Sequence, residues 1–207
     1  MTRAAASLLA IAALAGCQRG EVAPRAATPP ADWRAVATDH DRDRLRRWRT
    51  AWMEGLAAAR TAGNAGELTR AGALFDPDRA LAAALPPPGA YRCRVYKLGA
   101  RGGTGSAFTA YPFFDCSIVA EGEVLSFFKL SGSQRPVGLI FRDSDARAIF
   151  LGTLVLGDET APLQYGQDSA RDMAGLVERV GDRRWRVVLP YPAFESLIDV
   201  VELVPAR

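Results

Sequence analysis

The chain has 207 residues, a length that fits one domain behind a leader segment. Its formal net charge is +3, and of 26 basic residues only Lys97 and Lys129 are lysines. This arginine bias reads as the mark of a GC-rich genome, so the near-balanced charge points to no nucleic-acid partner.

The chain opens with Arg3 and an Ala/Leu-rich run from Ala4 to Leu14. A charged start, an apolar stretch of about 7–15 residues and small residues at its end describe a secretory signal. The run is too short to span a bilayer, which takes about 20 residues, and no later segment has that length without charges. Leu14-Ala15-Gly16-Cys17 closes the run and resembles a bacterial lipobox. That resemblance implies diacylglyceryl transfer to the Cys17 thiol, removal of residues 1–16 and acylation of the new amino end. It implies a protein of the cell envelope, on the periplasmic side, held to the membrane by lipid. Two or more acyl chains make such anchoring stable. Gln18 stands where an Asp would retain a lipoprotein at the inner membrane, which favours the outer membrane. The plainer reading is cleavage without lipid, with Cys17 left as a spare thiol.

Residues 17–32 are rich in Ala and Pro without apolar periodicity and read as a semi-extended tether. Residues 33–89 read as a helical segment. Thr38 with Asp41 makes a capping-box-like start, and Leu45, Trp48, Trp52, Leu56 and Ala59 recur at helical spacing. Gly63-Asn64 stops this helix. A shorter helical piece is expected over Ala65–Leu74, broken by Phe75-Asp76-Pro77, with one more turn over Ala80–Leu85. The Arg42, Arg44, Arg46, Arg47, Arg49 run, interleaved with Asp39, Asp41 and Asp43, reads as a solvated helix face. Its functional alternative is attraction to anionic head groups beside the anchor.

Residues 90–207 read as almost all β. Strands are expected over Tyr91–Leu98, Phe113–Glu121, Val124–Leu130, Pro136–Arg142, Arg147–Gly157, Met173–Val180, Trp185–Leu189 and Leu197–Val204. Roughly eight consecutive antiparallel strands suggest an up-and-down β-barrel, with a β-sandwich as the alternative. In a meander, the short turns at Gly122, Ser144 and Gly181 share one end. The longer loops Gly99–Ala110, Ser131–Arg135, Asp158–Asp172 and Pro190–Ser196 share the other and form a mouth. A barrel of this size is either filled by side chains or holds one small ligand. Strands such as Ile149–Leu156 are apolar on both faces. The Trp48/Trp52 stripe, a partner protein or self-association would cover the outer one.

Cys93 and Cys116 fall on the first two strands in a shared alternation phase. Folding those strands about the Gly-rich Gly99–Ser106 stretch sets the two cysteines opposite each other. An oxidising compartment favours a structural disulfide. The rival is a metal or redox pair, for which a nearby His or a C-x-x-C spacing is missing.

No catalytic set is evident. His40, the only histidine, sits in the first turn of an Asp/Arg-rich helix with no nucleophile around it. No Asp-x-Asp-x-Asp-Gly loop is present, so no metal site and no cofactor are expected. The best cluster is formed by the mouth loops. It comprises Lys97 and Arg101, then Lys129, Gln134 and Arg135 with Ser131 and Ser133, then Asp158, Glu159, Tyr165, Arg171 and Asp172 with Asp168. Cations beside carboxylates and amide donors can hold a polar or anionic small molecule. The plainer reading is a salt-bridged rim that staples the loops. The leading expectation is non-catalytic binding of a small or lipidic ligand, or of an envelope protein partner. One rival is a hydrolase using loop carboxylates such as Glu159 and Asp172. The other is a structural accessory of an envelope complex.

Four further stretches resemble a family of uncharacterised envelope proteins, chiefly alphaproteobacterial, known only as a domain of unknown function. They are Lys129-Leu130-Ser131-Gly132-Ser133-Gln134-Arg135-Pro136-Val137-Gly138, Leu151-Gly152-Thr153-Leu154-Val155-Leu156-Gly157-Asp158-Glu159, Arg171-Asp172-Met173-Ala174-Gly175 and Asp199-Val200-Val201-Glu202-Leu203-Val204-Pro205. The resemblance runs from Asp32 to the C-terminus and implies no catalytic roles. The barrel pattern is similar to calycins in architecture only, and fold does not imply function.

Overall fold

A computed structural model describes residues 31–103 and 105–206. The expected signal segment 1–16, Cys17 and the expected tether up to residue 30 lie outside the described residues. Eight strands form a closed antiparallel barrel in chain order. They are β1 (Gly89–Ala100), β2 (Phe108–Glu121), β3 (Val124–Lys129), β4 (Gln134–Arg142), β5 (Ala148–Leu156), β6 (Asp172–Gly181), β7 (Arg184–Pro190) and β8 (Ser196–Pro205). β8 pairs back onto β1, with Lys97 opposite Asp199 and Cys93 opposite Leu203, so no sheet edge is left open. The β2–β3 turn is a two-residue connection between Glu121 and Val124, with Gly122 at φ 61°. That left-handed backbone suits Gly and matches the twist of a hairpin.

Alternation divides each strand between two apolar layers. The inward layer fills the floor half of the barrel with Tyr91, Ile118, Phe127, Ile140, Phe150, Val177, Trp185 and Val187. Phe127 and Phe150 meet edge to face at 5.8 Å, as do Tyr91 and Trp185 at 6.2 Å. The outward layer of β1, β5, β6, β7 and β8 is also apolar and lies beneath the helices. The two-faced apolarity of these strands is therefore met by the chain's own helical segment.

That segment comprises α1 (Trp33–Val36), α2 (Asp39–Arg46), α3 (Trp48–Thr61), α4 (Ala65–Ala71) and a 3₁₀ turn over Gly72–Phe75. Thr38 caps α2 by accepting from the Asp41 amide. The long helix expected from Thr38 is interrupted at Arg47, whose ψ of 10° lets α2 lie on β6 while α3 crosses β1 and β8. Gly55 permits that crossing, because a Cβ there would stand 2.7 Å from Ile198 Cγ2. The turn expected over Ala80–Leu85 does not form. Leu81 instead pairs with Arg179, and Ala84 donates its amide to Asp145 O at 3.0 Å. Ala84 and Leu85 drop into the floor core, which an exposed helical turn could not supply.

The Arg/Asp run is only partly a solvated face. Asp43 and Arg47 pair on the surface at 2.7 Å. Asp41 and Arg44 are buried against the barrel and bonded to each other, and Arg44 Nη2 also donates to Asp172 O at 2.7 Å. Cys93 and Cys116 form a disulfide with Cα atoms 5.8 Å apart. Their register differs from the direct opposition expected, since Cys93 faces Phe114 and Cys116 faces Tyr91. The bridge runs diagonally, because the connection between β1 and β2 shifts the pairing by two residues.

Candidate functional site

The barrel is filled by side chains at its floor and hollow at its mouth. A cavity of about 110 Å³ opens between the ends of β1, β3, β4 and β8 and the loop 191–195. Its walls are largely apolar: Val95, Phe114, Pro136, Leu154, Met173, Leu189 and Val201. The volume accommodates several waters or a small ligand, and falls below the roughly 300–1,000 Å³ of sites for drug-sized molecules.

Both lysines of the chain face this cavity. Strand alternation places Lys97 on the inward phase with Tyr91, Cys93 and Val95. It places Lys129 inward with Phe127. Lys97 Nζ donates to Asp199 Oδ2 at 2.9 Å and lies 3.3 Å from Glu195 Oε2. Burial works against its charge, but Asp199 and Glu195 outweigh that and hold Lys97 above its ordinary pKa. Burial also pushes the Asp199 carboxyl above the usual carboxylate range. Its second oxygen accepts from Ser196 Oγ, so both oxygens are engaged.

Lys129 differs. It is 5 % exposed. Its Nζ donates to Ser131 O at 2.6 Å and to Gln134 O at 2.9 Å, and lies 3.7 Å from the Phe114 ring centre. Among the described residues no carboxylate forms an ion pair with it. Burial, with Arg135 and Lys97 nearby, pushes Lys129 down to about 8. An ammonium has three donors, so one N–H is left for the cavity or the ring face.

The mouth cluster read from the sequence separates into three sets. Lys97, Lys129 and Gln134 line the cavity, joined by Arg171 from the rim, and Gln134 Nε2 donates to Glu195 Oε1 at 3.3 Å. Arg101, Arg135, Glu159 and Arg171 tie the rim loops together. Arg135 donates to Gly157 O and Glu159 O, each at 2.7 Å, so the β3–β4 and β5–β6 loops meet at one end. Arg171 chelates Glu159 at 2.7 and 2.9 Å, which with the Leu156 amide holds Glu159 at about 2. Arg101 donates to Pro192 O. Asp158 is exposed on the same loop and is not among the cavity's lining residues.

The third set serves the outer face. Tyr165 donates to Asp41 Oδ2 at 2.6 Å and accepts from the Thr38 amide, stapling its loop to α2. Asp172 touches the cavity wall, but its Oδ1 accepts from the Gly166 amide at 2.9 Å, and burial raises its pKa. Glu159 and Asp172 therefore belong to different sets, each with its own partners. Among the described residues no group of three His, Cys, Asp or Glu is placed to hold a metal ion.

Asp199 and Glu195 were absent from the cluster read from the sequence. Asp199 was detectable: it shares the inward phase of Val201 and Leu203 in an apolar strand, and that strand closes beside Lys97. Glu195 carries no such signal, because a loop has no alternation.

A family model matches residues 33–203, and its description is Domain of unknown function (DUF4893). The chain belongs to this family. No curated protein and no solved structure matches the chain. The DUF4893 match spans the helical segment and the barrel together, consistent with a helical layer that is part of the domain's core.

Proposed function

We propose that this DUF4893 protein is a lipid-anchored, non-catalytic binding protein of the bacterial cell envelope that takes a small ligand in the barrel mouth. The observation that carries the reading is Lys129, a buried ammonium on the wall of an apolar cavity with no carboxylate partner among the described residues. A buried charge left partly unsatisfied is costly, and such groups concentrate where a ligand completes them. Composition adds support. In a chain where the other 24 of 26 basic residues are arginine, the two lysines stand together in the mouth. A compact ammonium fits a narrow cavity better than a planar guanidinium. The cavity's size favours a small molecule over a phospholipid. The envelope setting rests on the Leu14-Ala15-Gly16-Cys17 sequence, and the disulfide is in keeping with an oxidising compartment.

The test is extraction of the natively purified protein into organic solvent, followed by mass spectrometry, beside Lys129→Met. A small molecule recovered from wild type and missing from the variant supports the reading. Equal recovery, or none from either, removes it. Intact mass of the mature chain tests the anchor: an unmodified Cys17 contradicts the localisation.

A further inference from the structure

The loop joining β7 to β8 runs over the cavity and has an unusual backbone. Tyr191 has φ 48° and Glu195 has φ 68°, both in the left-handed region that favours glycine. Non-glycine residues are held there only where the surroundings impose it, and they cluster at ligand sites. The surroundings here are specific. The Arg101 amide donates to Glu195 O at 2.9 Å, and the Arg101 guanidinium donates to Pro192 O. Tyr191 N donates to Leu197 O at 2.8 Å. The loop backbone is thus clamped, while the Glu195 side chain is 53 % exposed and reaches inward to Lys97 and Gln134.

Lys97 therefore has two unequal carboxylate partners. Asp199 is buried, hydrogen-bonded by Ser196 and fixed in a strand. Glu195 is exposed, lies on a loop and sits 3.3 Å from both its partners. Glu195, Lys97 and Lys129 all line the cavity, together with the apolar Phe114, Leu154, Met173 and Leu189.

We infer that Glu195 is an internal stand-in for the acid group of the ligand, and that the ligand is a monocarboxylate with a short apolar chain. The inference rests on the reading of the mouth as a ligand site. The incoming carboxylate bridges the Lys97 and Lys129 ammonium groups and takes the Gln134 amide, while Glu195 swings to solvent. The apolar chain lies against Phe114, Leu154, Met173 and Leu189. No covalent bond changes. The ligand replaces one ion pair by another and gives Lys129 the counter-ion it lacks, so acids are selected over their neutral amides.

The experiment is calorimetric titration of the detergent-solubilised full chain and its Glu195→Gln variant with hexanoate and with hexanamide. Glutamine keeps the size of Glu195 and one acceptor oxygen but removes the competing charge. Hexanoate should bind the variant about fivefold more tightly than wild type, the tenfold-per-1.4 kcal/mol equivalent of about 1 kcal/mol for an exposed pair. Hexanamide should show no such gain. Equal hexanoate affinity for the two proteins, with binding present, overturns the role of Glu195 and leaves the cavity reading standing. A parallel gain for hexanamide shows a loosened loop and overturns it as well. Failure of both probes to bind either protein overturns the cavity reading together with the inference.

Discussion

Two parts of this molecule bury charge, and they do so differently. Beneath the helical segment, Arg186 and Glu178 are fully buried and completely partnered. Arg186 gives Nε and Nη2 to Glu178, and its remaining donors go to the carbonyls of Ala73, Leu74, Asp76 and Arg79, with Trp52 stacked 4.5 Å away. Arg147 takes the other Glu178 oxygen at 2.6 Å. At the mouth, Lys129 has two carbonyls, an aromatic face and, among the described residues, no carboxylate. The first arrangement fixes the 72–79 segment to the barrel and has no donor left for a partner. The second leaves capacity unused beside a cavity. Burial alone does not distinguish the two; incomplete partnering next to open space does.

The comparison breaks most visibly under Arg186→Met. Removing one member of a buried pair strands the other, at a cost of about 3–5 kcal/mol. Urea unfolding should show that loss, and a change below about 1 kcal/mol would show that the pair is not what docks the helical layer. Replacing both Cys93 and Cys116 by Ser should cost about 3 kcal/mol in the chain-entropy model for a 23-residue separation, read by the same unfolding with and without reductant. Wild type should fall to the variant's stability when reduced.

Lys129→Met should behave in the opposite sense to Arg186→Met. It removes a buried, incompletely partnered charge, so stability at pH 7 should hold or rise while ligand binding is lost. The pH dependence sharpens this. Lys129 is held at about 8 in the folded chain against an ordinary 10.5, so between those values the unfolded chain binds more protons. Its destabilising effect is complete below about 8 and is relieved as pH rises towards 10.5. The stability difference between wild type and Lys129→Met should shrink across that window. A difference constant from pH 7 to 10.5 would show that Lys129 titrates normally. The smallest effect belongs to the rim: Arg135→Ala should cost up to about 1 kcal/mol and leave ligand recovery unchanged.

The barrel was legible in the sequence because alternation and turn residues are local. Seven of the eight strands lie within two residues of their expected spans, while β2 begins five residues early, at Phe108; the Gly122-Glu123 turn falls where it was read, and the turn expected at Gly181-Asp182 falls one residue later, at Asp182-Arg183. The register of β1 on β2 was not legible, since a long Gly-rich connection does not count residues, and Cys93 meets Phe114 instead of Cys116. The helical layer was legible by its Leu45/Trp52/Leu56 stripe, but not the burial of Asp41 and Arg44, which tertiary partners decide. At the mouth, loop parity identified the common end. It could not place Tyr165, which is half-buried against α2, because side chains in loops follow no period.

The most direct measurement uses the fact that the chain has only two lysines, both in the cavity. In protein labelled with ¹³C-lysine, the side-chain resonances report both ammonium groups by NMR. Without ligand, one should titrate near 8 and the other above the ordinary lysine value. On adding hexanoate, the low-titrating signal should move upward as Lys129 gains a counter-ion. Two lysines titrating near 10.5 and indifferent to hexanoate would contradict the account.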